Sequence, residues 1–492
     1  MAMIKVDNLT FSYPGSYDAV FENVSFQIDT DWKLGFIGRN GRGKTTFLQL
    51  LLGKHAYAGK ITAPVPFDYF PYPVEDTAVC VRDVLQGICP RAADWELERE
   101  LGYLQTPPAV LSQPFYTLSS GEQTKALLCA LFLNEGRFLL IDEPTNHLDA
   151  AARVLVADYL KRKKSFILVS HDRMFLDACV DHILSINRTN IEVQSGNFSS
   201  WMENFERQQA FEYSKQERLK KDVARLKEAS HRAAGWSDKA ETAKKGVTSA
   251  GLKPDKGHVG RKAAKAMQRA KSIEARQKQA VEEKAALLQN AETADALKLA
   301  PLPFYTDRLA AFSDVTVRYG TREICNRVGF EIRQGERIAL EGRNGSGKSS
   351  LLKLLLGESI PHTGAVTSAS GLVISYVPQD TSFLCGLLSD YARERRIDES
   401  LLKAILRKMD FSRAQFDKDM ADFSGGQKKK VLIAASLCER AHLYLWDEPL
   451  NFIDVYSRMQ IEALLGSFSP SMLFVEHDRA FQERIATRVL RL

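Results

Sequence analysis

One ordered series of motifs occurs twice along the 492 residues. GRNGRGKTT, from Gly38 to Thr46, returns as GRNGSGKSS, from Gly342 to Ser350. LSSGEQ (Leu118 to Gln123) returns as FSGGQK (Phe423 to Lys428), and FLLIDEPTNHLD (Phe138 to Asp149) as LYLWDEPLNFID (Leu443 to Asp454). VSHDRMF (Val169 to Phe175) returns as VEHDRAF (Val475 to Phe481). The offset barely drifts: 304 between Lys44 and Lys348, 305 between Glu143 and Glu448, 306 between His171 and His477. Unrelated matches would not keep both order and spacing, whereas duplication of one domain does.

Each copy alternates short apolar strands, such as Phe138 to Ile141 and Phe166 to Val169, with helical stretches. That pattern predicts an α/β fold with a mainly parallel sheet and its ligand at the strand ends. Between the copies Phe and Tyr thin out, and Lys, Arg, Glu, Gln and Ala dominate. Leu219, Val223 and Leu226, and then Ala263, Ala266, Met267, Ala270 and Ile273, recur at helical steps. The glycine-rich GVTSAGLKPDKGHVG between them reads as a loop. The expected organisation is a nucleotide-binding domain at 1–202, a long antiparallel α-helical hairpin linker at 203–300 with its tip near 246–260, and a second nucleotide-binding domain at 301–492.

Charge is concentrated in that linker. From His231 to Ala280 there are 13 Lys and Arg against 4 Asp and Glu, a balance of +9 against +6 for the whole chain. Such density suits phosphate-backbone contact without base reading. The seven cysteines are scattered without a Cys-x-x-Cys pair, which argues against a disulfide framework or zinc site. No apolar run approaches the ~18 residues of a membrane span, and the first residues carry no secretory signal pattern. A cytoplasmic protein is expected.

Gly38-Arg39-Asn40-Gly41-Arg42-Gly43-Lys44-Thr45 is a P-loop followed by Thr46. Its glycines let backbone N–H groups approach phosphate oxygens, and the following helix aims its positive end at them. Lys44 is placed for the terminal phosphates and the Thr45 hydroxyl for Mg²⁺. Gly342, Arg343, Asn344, Gly345, Ser346, Gly347, Lys348, Ser349 and Ser350 repeat the arrangement. The apolar runs FLLI and LYLW deliver Asp142 and Asp447 as Mg²⁺ partners. Glu143 and Glu448 follow where a general base can orient and deprotonate the attacking water.

With these motifs in this order the chain resembles ABC ATPases. The resemblance implies ATP and Mg²⁺ as cofactors and hydrolysis at two composite sites. Ser119, Ser120, Gly121 and Glu122, and likewise Ser424, Gly425, Gly426 and Gln427, would be signature loops, each facing the opposite P-loop. One site would join Lys44, Asp142 and Glu143 to Ser424, Gly425 and Gly426. The other would join Lys348, Asp447 and Glu448 to Ser119, Ser120 and Gly121. His171 and His477 match the switch histidine, and Gln379 the glutamine that contacts the metal. Tyr13 and Tyr319 resemble the aromatics that stack on adenine, with core packing as the competing role. Two residues depart from the pattern: Tyr72 stands where Gln379 has its counterpart, and Phe423 replaces the usual signature leucine. The two sites are therefore expected to differ.

Tandem cassettes joined by a long basic hairpin resemble the ABC-F group of translation factors, and GNFSSW (Gly196 to Trp201) leading into the linker is similar to that group as well. The resemblance implies a 70S ribosome partner, with the hairpin in the exit site against large-subunit rRNA and the P-site tRNA. It also implies no membrane, no obligate protein partner, and a monomer whose cassettes pair within one chain. The short stretch from Tyr72 to Leu118 and the end of the chain at Leu492 look similar to antibiotic-resistance members, especially the Lsa type. That resemblance implies displacement of lincosamides, streptogramin A and pleuromutilins, with Trp236, Leu252, Lys253 and Lys256 as tip candidates. The alternatives are a housekeeping factor that relieves stalled ribosomes and, more distantly, the ATPase subunit of a drug exporter.

Overall fold

The computed structural model of the chain describes residues 2–14, 19–146, 148–186, 191–211, 214, 217, 218, 221, 301–320 and 322–492. Met1–Trp201 and Leu297–Leu492 form one compact unit, and Met202–Ala296 a second. The second unit is described chiefly at its start, where residues 202–211 are helical. The remainder of the expected hairpin lies outside the described residues, including its 246–260 tip and Trp236, Leu252, Lys253 and Lys256. Among the described residues no helix is long and apolar enough to cross a membrane.

Each cassette contains two sheets. In the first, β1 (Met3–Phe11) pairs antiparallel with β2 (Phe21–Asp29) and β4 (Ala58–Thr62). The larger sheet runs in the order β5-β6-β7-β3-β8-β9, where β3 is Lys33–Gly38, β5 Phe67–Phe70, β6 Phe138–Asp142, β7 Phe166–Val169, β8 His182–Ile186 and β9 Ile191–Ser195. Its pairs are parallel except β8 with β9.

The second cassette repeats this arrangement. Strand β10 (Arg308–Tyr319) lies between β11 (Arg322–Arg333) and β13 (His362–Ser368). A parallel sheet runs β14-β15-β16-β12-β17, with β12 at Arg337–Glu341, β14 at Ile374–Val377, β15 at Leu443–Asp447, β16 at Met472–Val475 and β17 at Arg488–Arg491.

The continuous apolar runs follow from burial on both sheet faces. Successive side chains of β15 point to opposite sides. Leu443 and Leu445 join the core beneath β10 and β11, whereas Tyr444 and Trp446 join the core under the helices. All four are fully buried, so the strand end carrying Asp447 and Glu448 is held from both sides.

Candidate active sites

The P-loop bends where only glycine fits. Gly43 has φ 91° at the start of the Lys44–Leu51 helix, and a Cβ there would stand 2.4 Å from Val20 Cγ1. Gly347 has the same φ before the Lys348–Leu355 helix. These turns fold each lysine back over its own loop. Lys44 Nζ donates to the carbonyls of Gly38 at 2.7 Å and Arg39 at 3.2 Å, and Lys348 Nζ to those of Gly342 at 2.8 Å and Arg343 at 2.9 Å. Lys44 is buried, and desolvation lowers its ammonium against the attraction of Asp454, Glu143 and Asp142.

The Walker carboxylates stand beside the P-loop hydroxyls. Thr45 Oγ1 donates to Asp142 Oδ2 at 3.0 Å. Burial raises both Asp142 and Asp447, opposed by Thr45 at the first and Ser349 at the second. Glu143 and Glu448 sit in the left-handed region at φ 51° and 46°, where the strand has ended. Each backbone N–H is tied to the neighbouring strand, at Val169 O (2.9 Å) and Val475 O (3.0 Å). Strained backbone at such a position costs about 1–3 kcal/mol and persists only where the surroundings over-determine it.

The two glutamates differ in environment. His171 Nε2 is 3.4 Å from Glu143 Oε1, and His477 Nε2 is 3.5 Å from Glu448 Oε1. Glu143 Oε1 is buried and makes no hydrogen bond. Burial and the adjacent Asp142 charge push the Glu143 carboxyl up to about 8. Glu448 Oε2 instead accepts from Gln379 Nε2 at 2.8 Å and Asn451 Nδ2 at 2.7 Å. Burial acts to raise Glu448 as well, but His477, Asn451 and Lys348 hold it below the ordinary value. His171 is depressed well below the ordinary histidine value by burial and by Lys44 and Arg458.

Each site takes walls from both cassettes. The first signature helix, Ser120–Leu133, opens on a capping box between Ser119 and Glu122, and the second, Gly425–Cys438, on one between Ser424 and Gln427. At the first site Asn40 Nδ2 donates to Phe452 O at 2.5 Å, and a Cβ on Gly426 would stand 2.6 Å from Asn40 Nδ2. Asn40 N–H also donates to Asp454 Oδ2 at 3.3 Å, while Arg39 and Arg42 pair with Asp410 at 3.4 and 3.0 Å. At the second site a cavity of about 410 Å³ is lined by Ser120, Asn146 and Leu148 of the first cassette. Across it stand Lys348, Ser349, Gln379, Glu448 and His477 of the second. The structure thus brings the first P-loop to the second signature helix, and the second P-loop to the first.

Tyr13 and Tyr319 are 41% and 49% exposed, which is unlike core residues, and Tyr319 lines the second-site cavity. Their hydroxyls meet Thr46 Oγ1 at 2.8 Å and Ser350 Oγ at 3.2 Å. Strand registers align Phe70 with Ile141 and Val377 with Trp446, so Tyr72 does occupy the position equivalent to Gln379. Its hydroxyl is buried near Asp68 and Asn134 without a well-formed hydrogen bond. A neighbour that the motif comparison passed over acts on the carboxylate instead: Tyr69 donates to Asp142 Oδ2 at 3.1 Å. Its counterpart Tyr376 was the available signal, since both tyrosines lie two residues before a proline, Pro71 and Pro378, at the end of the strand beside the Walker strand.

These donors suit Mg²⁺. Asp447 Oδ1 is buried without a hydrogen-bond partner, and among the described residues no cluster of three or more His, Cys, Asp or Glu forms an all-protein cage. That matches an ion bound through one or two protein oxygens together with substrate phosphates. Thr45 and Asp142 would hold it at one site, and Ser349, Gln379 and Asp447 at the other. The ion would neutralise charge developing on the transferred phosphoryl group.

A family model described as ABC transporter matches residues 21–146 and 325–451, just over half of the chain. The chain belongs to the ABC transporter family and is an ATPase. It is 29% identical over 496 residues to ribosome protection protein VmlR of Bacillus subtilis, covering 96% of this chain and 84% of that protein. It is 24% identical over 530 residues to the energy-dependent translational throttle protein EttA of Haemophilus influenzae, covering 96% and 88%. Together with the duplicated cassettes, these similarities support the resemblance to the ABC-F branch of the family. Among solved structures, a complex of archaeal ribosomal stalk protein aP1 with ribosome recycling factor aABCE1 matches with a TM-score of 0.65 at 19% identity. The match covers 98% of this chain and 87% of that one, which shows a shared fold.

Proposed function

We propose that this ATPase acts on the 70S ribosome as a protection factor of the Lsa type, entering the exit site and displacing lincosamide, streptogramin A and pleuromutilin antibiotics from the peptidyl-transferase region. The observation that carries the reading is the reciprocal completion of both sites across the cassettes, with a +9 segment in the connecting stretch. ATP held between a P-loop and the opposite signature helix joins the halves, and hydrolysis releases them. Closure driven this way would set the linker against rRNA and the P-site tRNA, where its cations meet phosphates. The similarity to VmlR, a ribosome protection protein, supports the resistance role. The similarity to EttA, a translational throttle, favours a second reading, regulation of translation with no drug involved.

In chemical terms Lys44 and Lys348 bind the terminal phosphates, and Glu143 and Glu448 accept the proton of the attacking water. His171 and His477 stand 3.4 and 3.5 Å from these glutamates and would contact the γ-phosphate. The combined substitution Glu143→Gln with Glu448→Gln keeps ATP binding and removes the base, so reopening becomes slow. Co-sedimentation of that variant with 70S ribosomes is expected only with ATP present, and equal binding without ATP would overturn the clamp. Expression in a drug-sensitive host separates the two roles: raised inhibitory concentrations support protection, and unchanged ones leave the regulatory reading.

A further inference from the structure

The signature helices carry different residues one turn beyond the loops that face ATP. In the second, Lys429 is only 2% exposed, and its ammonium bridges three backbone carbonyls. These are Pro378 at 2.9 Å, Glu448 at 3.1 Å and Asp447 at 3.5 Å. Pro378 immediately precedes Gln379, which holds Glu448 Oε2. One buried cation therefore pins the backbones of both residues that set the glutamate's position at the second site. Glu476 gives the cation a buried countercharge and also accepts from Leu450 N–H at 3.0 Å.

The same helix completes the opposite site. Gly426, three residues earlier, lies against Asn40 of the first P-loop. Lys430, the next residue, pairs with Asp454 at 2.8 Å, and Asp454 accepts from Asn40 N–H. This helix thus touches the first site with its opening turn and the second site's base with the following one. A displacement of Gly426 is carried to the Glu448 backbone through a single turn of helix.

The first signature helix lacks this connection. Aligning Ser119 with Ser424 places Thr124 at the Lys429 position, and its hydroxyl bonds within its own helix, to Ser120 O at 2.9 Å. The Glu476 position is Ser170, whose hydroxyl meets Thr145 Oγ1 at 3.3 Å, and the Gln379 position is Tyr72. Both polar links to the glutamate are therefore present at one site and replaced at the other.

We propose that Lys429 is a positioning residue for the second active site and makes catalytic coupling one-directional. Nucleotide engaged by the second signature helix at the first site sets Glu448 for hydrolysis at the second, whereas engagement of the first signature helix has no matching route to Glu143. Linkage requires reciprocity of binding energies but not of turnover, so a one-way effect on rate is thermodynamically allowed. The inference rests on the ATPase activity alone and stands whether the ribosomal reading holds or fails.

The test is steady-state hydrolysis by the full chain in two backgrounds: Glu143→Gln, which leaves the second site turning over, and Glu448→Gln, which leaves the first. Lys429→Met in the Glu143→Gln background is expected to lower kcat about tenfold with KM for ATP changed less than twofold, as misplacement of a base does. Lys429→Arg should restore most of that loss. In the Glu448→Gln background the loss from Lys429→Met should be at least about fivefold smaller. Adding Lys44→Ala to Glu143→Gln should slow the second site when Lys429 is present and add little once it is Met. Equal losses at both sites, or a rise in KM without a fall in kcat, would overturn the proposal. If Lys429→Met abolishes both rates, Lys429→Gln, which keeps a donor, decides by the same ratio.

Discussion

Two glutamates at matching positions need not be matched in chemistry. Glu448 is held by two amide donors, whereas Glu143 Oε1 has none, and their carboxyls are driven in opposite directions. At the first site Tyr69 contributes instead, through Asp142. Tyr69→Phe removes one hydrogen bond of about 1 kcal/mol, so turnover in the Glu448→Gln background should fall about fivefold. The second site, assayed in the Glu143→Gln background, should change far less. Gly426→Ala would set a methyl group 2.4 Å from Phe452 O. That carbonyl is backbone of the same cassette, so the opening turn of the signature helix must shift, and the same methyl would stand 2.6 Å from Asn40 Nδ2 of the first P-loop; ATPase activity should drop at least about tenfold. The P-loops and the Asp-Glu pairs were legible in the sequence because covalent spacing defines them. Tyr69 was not, since an aromatic in an alternating strand reads as packing. Lys429 and Asp410 were not either, because their roles arise only when distant segments meet.

At the level of strands and helices, the parallel strands were the readable part, because burial on two faces demands unbroken apolar runs such as FLLI and LYLW. The antiparallel sheets were less readable. Between Val6 and Leu9 the register of β1 shifts at Asn8, which adopts φ 49°, so the alternation that marks a half-buried strand is interrupted. The helix Asp94–Tyr103 shows how a polar side chain can anchor an element. Glu100 is 3% exposed and accepts from Lys163 Nζ and Tyr159 Oη, each at 2.6 Å. Burial acts to raise its carboxyl, but Lys163 and Tyr159 outweigh that and hold it below the ordinary value. A depressed carboxyl contributes stability that is present above the unfolded-state pKa and is lost as pH falls through the folded one. Glu100→Gln should therefore cost about 1–3 kcal/mol at pH 7. The difference from the parent chain should shrink below about pH 4, as followed by denaturant unfolding across pH.

Across the whole molecule, the pairing of the two copies follows from the repeat and the family resemblance, but its lopsidedness does not. Arg173 of the first copy reaches Glu462 and Asp478 of the second, all buried, with Arg458 and Arg484 completing the network. With the switch histidines and Walker strands aligned, the matching residues on the other side are Arg479, which is exposed, and Ala157. Removing one partner leaves buried carboxylates undercompensated, so Arg173→Met should destabilise the paired cassettes by about 3 kcal/mol, read as a lower thermal midpoint. Arg479→Met should shift it little. The two arginines are identical within the repeated motif, and the difference is set by Glu462 against Ala157 outside it, which is why the repeat alone conceals it.

The arginines of the first P-loop and the carboxylate they grip have a consequence for the molecule's history. Asp410 answers Arg39 and Arg42, whereas the aligned residues of the reverse pairing are Gln105, Arg343 and Ser346. A chain built from two first halves would set its arginines against glutamine, and one built from two second halves would leave the aspartate with one arginine, Arg343, and a serine in place of the second. The halves have become plug and socket, so neither can stand in for its twin, and change in one must be answered by change in the other.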